Sequence, residues 1–189
     1  MKVLVVYSNV PPLKDGAAEL VFWDCETTGL LRNVEGSRIV SATFLEDTGR
    51  RVSFVGDDEA GVLRRIFDVF RKYGSDCVFV GYNTLRFDIP FIEARADILG
   101  FSQEEILRPS RNLDLFSIVR SEIKRGKWPT LAEACRYFGA DARIRYSGRD
   151  VLRFVEERQW DKVLEHNLED VVAIRKLYYS LEKWGCLNE

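Results

Sequence analysis

The chain has 189 residues, of which 46% are hydrophobic and 31% charged, and its formal net charge is −2. This length suits one well-packed core with little room for a second domain, and the composition excludes wholesale disorder. The near-balanced charge neither requires nor excludes a nucleic-acid partner, because that depends on where the charge sits.

Strand-like runs come first in chain order: KVLVVYS at 2–8, ELVFWD at 19–24, RIVSATFLE at 38–46 and RRVSFVG at 50–56. A tight Glu-Asp-Thr-Gly hairpin at 46–49 joins the last two. Residues 1–18 read as an extra N-terminal strand and linker, broken at Pro11-Pro12, ahead of a core at 19–184 in a single domain over 1–189. The opening apolar run is too short for a signal peptide or a membrane span. After Asp57, Asp58 and Glu59, the residues Val62, Leu63, Ile66, Val69 and Phe70 recur at helical spacing until Gly74. CVFVGYN at 77–83 predicts a central buried strand, followed by a helix through IPFIEARADILG. The remainder predicts a short strand or loop at 112–117, helices at about 130–139 and 158–184, and a linker or surface loop at 141–150.

Three antiparallel strands followed by alternating strands and helices describe an α/β fold with a mixed sheet flanked by helices. No glycine-rich phosphate loop follows a first strand, so the order fits a ribonuclease H-like arrangement better than a doubly wound nucleotide binder. Cys25, Cys77, Cys135 and Cys186 show no paired ligand spacing, which points to an intracellular, cytoplasmic chain without a zinc site or disulfide framework. Basic residues gather at Arg108 and Arg111, at Arg120, Lys124, Arg125 and Lys127, and at Arg143, Arg145, Arg149 and Arg153. They read either as a rim for phosphates or as a solvated face that balances nearby acids.

Acids recur at places where elements end. In VFWDCETTGL at 21–30, Asp24 and Glu26 are two apart, hence on one side of a strand, with Trp23 and Cys25 packed on the other. Like charges that close raise each other's pKa unless something positive lies between them, and a divalent cation such as Mg²⁺ or Mn²⁺ meets that need. Taken alone, the pair reads equally well as solvated turn residues. In GYNTLRFDIPF at 81–91, Asp88 is either a helix N-cap or a third acid at the edge where Asn83 also projects. In EHNLEDVV at 165–172, His166 and Asp170 share a helix face, with apolar neighbours that place Asp170 at the buried border. His166, the only histidine, suits a general-base or water-orienting role, or a hydrogen-bonded structural one.

In this order and at these intervals the segments resemble the DEDD superfamily of 3′-to-5′ exonucleases. They are most similar to stand-alone relatives of the family B DNA polymerase proofreading domain. The carriers are Asp24-Cys25-Glu26-Thr27, the Tyr-Asn and downstream Asp-Ile-Pro of GYNTLRFDIPF, and the His166 and Asp170 pair. The sequence departs from the pattern at His166, where those relatives usually carry tyrosine.

The resemblance implies a ribonuclease H-like fold holding two Mg²⁺ or Mn²⁺ ions. Asp24 would bridge both, Glu26 and Asp170 would complete one site, and Asp88 would hold the second. Thr27, Thr28, Leu30, Tyr82, Asn83 and Phe87 would receive the substrate end, with Asp114 as an additional acid that Arg108 or Arg111 could instead pair. The implied reaction is hydrolysis of the terminal phosphodiester of single-stranded nucleic acid with a free 3′ end, releasing nucleoside 5′-monophosphates, with DNA favoured. No membrane partner is expected; action alone, as a homo-oligomer, or with a partner nuclease or polymerase stays open. The alternatives are a non-catalytic nucleic-acid or protein-binding module on the same fold, or a related RNA exonuclease or endonuclease.

Overall fold

The structure, a computed structural model, describes residues 3–7, 20–123 and 128–187. Of the expected N-terminal strand and linker at 1–18 only residues 3–7 lie within that range, and Lys124, Arg125 and Lys127 lie outside it. Six strands form one sheet in the order β1-β4-β3-β2-β5-β6. They are β1 (Leu4–Tyr7), β2 (Leu20–Thr27), β3 (Ile39–Glu46), β4 (Arg51–Val55), β5 (Val78–Gly81) and β6 (Asn112–Asp114). The pairs β1–β4, β4–β3 and β3–β2 are antiparallel, whereas β2–β5 and β5–β6 are parallel. The expected mixed sheet is therefore present, with β5 inside it and β1 as an antiparallel edge strand. The hairpin between β3 and β4 closes through Gly49 at φ 91, a left-handed conformation in which a Cβ would be strained.

Helices cover both faces: α1 (Glu59–Tyr73), α2 (Asp88–Ile98), α3 (Leu115–Glu122), α4 (Leu131–Tyr137), α5 (Gly148–Glu156) and α6 (Trp160–Lys183). Alternation along β2 assigns the layers. Val21, Trp23 and Cys25 enter one core with Val62, Ile66 and Phe70 of α1 and Phe91 and Ile92 of α2. Phe22 enters the other with Leu115 and Val119 of α3, Ala134 of α4 and Val171, Ile174 and Leu177 of α6. Among the described residues no helix is long and apolar enough to cross a membrane.

Two short helices depart from the sequence expectation. The strand at 112–117 stops at Asp114, because its side chain accepts a hydrogen bond from Phe116 N (3.0 Å) and starts α3. The segment 141–150 is not a plain linker, since 148–150 is the first turn of α5. Val151, Phe154 and Val155 of α5 pack on Val40, Val55 and Val163, and the Asp150 carboxylate accepts from both the N–H and the hydroxyl of Ser147. Arg145 ties the preceding coil to α6 by pairing with Glu165 and Glu169.

One buried ion pair braces the loop after β2. Arg95 donates through Nε to Glu59 Oε1 (2.8 Å) and through Nη2 to Oε2 (2.6 Å), and its third nitrogen reaches the carbonyls of Val34 and Glu35. Glu59 Oε1 also accepts from Ile39 N, so α1, α2, β3 and the 31–36 turn meet at one fork. A bidentate pair with all three guanidinium nitrogens bonded is well satisfied, but removing one partner strands a buried charge. Arg95→Ala should lower unfolding free energy by about 3–5 kcal/mol in urea titration. The double change Glu59→Gln with Arg95→Met should cost clearly less.

Candidate functional site

The site forms where β2 outruns its parallel neighbour. Pairing between β2 and β5 covers Leu20 to Phe22 only, so the last residues of β2 lie beyond the end of β5. Asp24 and Glu26 share the face of Phe22, toward α6, and a register irregularity between Glu26 and Thr27 precedes the loop at 28–30. From the opposite layer Asp88 reaches back to β2, where its Oδ1 accepts from Cys25 N (3.3 Å) and Cys25 Sγ (3.1 Å). The capping alternative for Asp88 does not hold: it occupies the first turn of α2, after the N-cap Phe87, and bonds across to the strand. Cys25 is correspondingly more than packing, because its thiol, kept protonated by burial and by Asp88, is a donor to that carboxylate.

The helix α6 contributes three residues. His166 is 2% exposed, with Nε2 3.5 Å from Glu26 Oε1 and Nδ1 3.8 Å from Asp170 Oδ1. Ligand atoms of Glu26, His166 and Asp170 lie within 4.8 Å of one another, a group able to hold a divalent metal. Sequence reasoning missed the third, Asn167. Fully buried, it donates to Asp24 Oδ2 (2.9 Å) and accepts from Ser41 Oγ (3.0 Å), fixing Asp24 between α6 and β3. Its signal was available: a polar residue three positions before Asp170, on the inward side of an amphipathic helix.

Electrostatics mark the cluster as short of positive charge. Burial, then Asp88, Glu26 and Asp170, push the Asp24 carboxyl well above its ordinary range, against the Asn167 hydrogen bond. Burial followed by Asp170 and Asp88 does the same to Glu26. Burial raises Asp88 to about 6 despite its bonds from Cys25, and burial with Glu169 and Asp88 raises Asp170 to about 7. Burial lowers His166, which favours the neutral ring. Glu26 Oε1, Asp170 Oδ1 and His166 Nδ1 are buried without a hydrogen-bond partner. Carboxylate oxygens in excess, with bare lone pairs, fit a hard divalent cation.

Beside the acids opens a cleft of about 620 Å³. Glu26, Thr27, Thr28, Leu30 and Phe87 line it, as does the start of α5 with Ser147, Gly148 and Arg149. Four of the six anticipated substrate residues thus share one cavity, opposite a wall that the sequence did not reveal. The other two are placed differently. The Tyr82 hydroxyl donates to Pro129 O (2.7 Å) and its ring packs edge-on against Phe116. Asn83 takes a left-handed φ of 65, its Oδ1 is buried without a partner, and its N–H donates to Asp114 Oδ1 (2.6 Å). Asp114 accepts from Asn83, Leu85 and Phe116 N–H groups, so it pins the loop after β5. Neither arginine pairs with it, and Arg108 instead meets Glu93.

A carboxyl whose pKa is higher folded than unfolded binds its proton more tightly in the native state. Its contribution to stability is therefore present at low pH and lost as pH rises through the folded value. For Asp88 and Asp170 that window runs from the ordinary 3.8 to about 6 and about 7. In thermal melts with chelator, Tm should fall between about pH 4 and pH 7. Asp88→Asn should flatten that slope, and Mn²⁺ should restore Tm at the alkaline end.

Residues 21–182 match the RNase_H superfamily, a span that takes in every acid of the cluster. A comparison with curated proteins gave no match. Among solved structures the fold is shared with the family B DNA polymerase from the hyperthermophilic archaeon Pyrobaculum calidifontis, with a TM-score of 0.71 and 24% identity. The likeness covers 88% of this chain and 25% of that one, so the chain spans about a quarter of the polymerase's length. With the mixed sheet, the flanking helices and the family match in agreement, the chain belongs to the RNase_H superfamily.

Proposed function

We propose that the chain is a metal-dependent 3′-to-5′ exonuclease that hydrolyses the terminal phosphodiester of single-stranded nucleic acid to nucleoside 5′-monophosphates. The observation that carries this reading is the convergence of Asp24, Glu26, Asp88 and Asp170 from three elements, with bare oxygens and raised pKa values, at the edge of a cleft. DNA is favoured over RNA because the motif order resembles polymerase proofreading domains and the fold is shared with a DNA polymerase.

In this reading Asp24, Glu26, Asp88 and Asp170 hold two Mg²⁺ or Mn²⁺ ions. Bound there, such ions supply Lewis acidity toward a phosphoryl oxygen and lower the pKa of water. The protein's own share is positioning. Leu30 and Phe87 offer apolar surface to a terminal nucleoside, and the Thr27–Thr28 backbone lies along the same wall. The register irregularity after Glu26 keeps that wall next to the acids rather than continuing the strand. His166 is the group suited to take a proton, at Nδ1, which is buried and makes no hydrogen bond. Burial keeps it neutral and so able to accept. Asn167 holds Asp24 in place through both its backbone and its side-chain oxygen.

A 5′-labelled single-stranded oligonucleotide incubated with Mn²⁺ should shorten stepwise from its 3′ end with release of mononucleotides, while a circular single strand stays intact. Asp24→Ala and Asp88→Ala should each slow this by at least about 10²-fold. Equal degradation by wild type and Asp24→Ala, or none by either, would remove the exonuclease reading. Cleavage of the circle would convert it to an endonuclease. Titration calorimetry with Mn²⁺ checks the metal separately: binding should be lost in Asp170→Asn.

A further inference from the structure

Outside the acid cluster, the described surface carries one aromatic residue flanked by arginines that pair with no acid. Trp128 is 58% exposed and lies nearly parallel to Phe116, at 5.2 Å between ring centroids and 27°. The guanidinium of Arg86 lies 5.2 Å from the Trp128 centroid and that of Arg120 lies 4.8 Å from it. Among the described residues neither arginine has a carboxylate partner. A guanidinium parked on a π face keeps its charge and most of its N–H donors, whereas one paired with a carboxylate has spent both.

The patch is fastened to the active-site edge by named bonds. Arg86 is two residues before Asp88 and next to Phe87 of the cleft wall. Asp114 accepts from Asn83 and Leu85 N–H groups on the Arg86 loop, and from the N–H of Phe116, the ring on which Trp128 lies. Tyr82 donates to the carbonyl of Pro129, the residue after Trp128. Tyr82 and Asp114 are thereby explained as supports: they hold the loop with Arg86 and the ring of Trp128 in fixed relation.

We propose that Arg86, Trp128 and Arg120 form a docking surface for single-stranded nucleic acid a few nucleotides upstream of the 3′ end held in the cleft. This rests on the reading of the cleft as the 3′-end site. The commitment to nucleic acid follows from charge complementarity. Two guanidinium forks without a carboxylate partner match phosphate oxygens, and their planes, seated over the exposed indole, offer a flat cationic platform for a base face, a combination that grips strands without regard to sequence. Arg86 adjoins Phe87 of the cleft wall in the chain, so a strand leaving the cleft past Phe87 would meet Arg86 first and Trp128 next.

The test separates this surface from the chemistry. Binding of a fluorescein-labelled thymidine oligonucleotide of about a dozen residues is measured by anisotropy with chelator present, while hydrolysis of the p-nitrophenyl ester of thymidine 5′-monophosphate with Mn²⁺ reports the cleft alone. Trp128→Ala should weaken oligonucleotide binding about 10-fold or more, and Trp128→Phe should retain most of it. Arg120→Ala should weaken binding and reduce the salt dependence by close to one counterion. All three variants should hydrolyse the small ester at the wild-type rate. Wild-type oligonucleotide affinity in both Trp128→Ala and Arg120→Ala overturns the proposal. Weakened binding in a protein whose wild type leaves the ester intact removes the exonuclease reading and leaves the surface standing.

Discussion

Mutual repulsion among Asp24, Glu26, Asp88 and Asp170 is the constraint around which this fold is arranged. Each acid is raised by burial, and Asp24 also by all three others, so the metal-free cluster works against the packing that creates it. Such a cluster persists only if its backbone supports are more stable than the repulsion is costly. The supports are visible: β2 is paired on both sides over its first half, and its acidic end is held by Asn167 from α6 and by the Asp88 contact from α2.

The same sheet end holds a contrasting acid. Asp114 is as buried as Glu26, at 5% exposure, yet it accepts three backbone N–H bonds and acts as a joint. Asp88 accepts one backbone N–H and a weak thiol donor, and Glu26 Oε1 and Asp170 Oδ1 accept nothing. The chain therefore has the means to satisfy a buried carboxylate and uses them at Asp114. Residues nearby that are left short of donors are the ones expected to meet an external cation.

What could be read from the sequence divides by range of interaction. Asp24 with Glu26, and His166 with Asp170, were legible because a period of two and an offset of four place them on one face without knowledge of the fold. The sheet class followed from the order of apolar runs. Asp88 was legible as an acid of interest, but its partner was not: a bond to Cys25, 63 residues away, depends on where β5 ends. For the same reason Cys25 looked like inert packing, Tyr82 like a residue that receives the substrate end, and Asp114 like an additional acid or a partner for arginine. Helix α5 was hidden by its length of 9 residues and by polar neighbours that resembled a linker, so the second wall of the cleft went unseen.

That second wall alters how the cleft is understood. The strand side supplies acids and the loop through Leu30, and the α5 side supplies Ser147, Gly148, Arg149 and Leu152. Its position depends on Val151, Phe154 and Val155 packing on β3, β4 and α6, and on Arg145 gripping two glutamates of α6. One of those glutamates, Glu169, adjoins Asp170, and the other, Glu165, adjoins His166. The helix that carries His166, Asn167 and Asp170 is thus also the anchor for the opposite wall, so a shift of α6 moves these residues and the wall together. Cleft width and acid spacing are coupled by this shared helix.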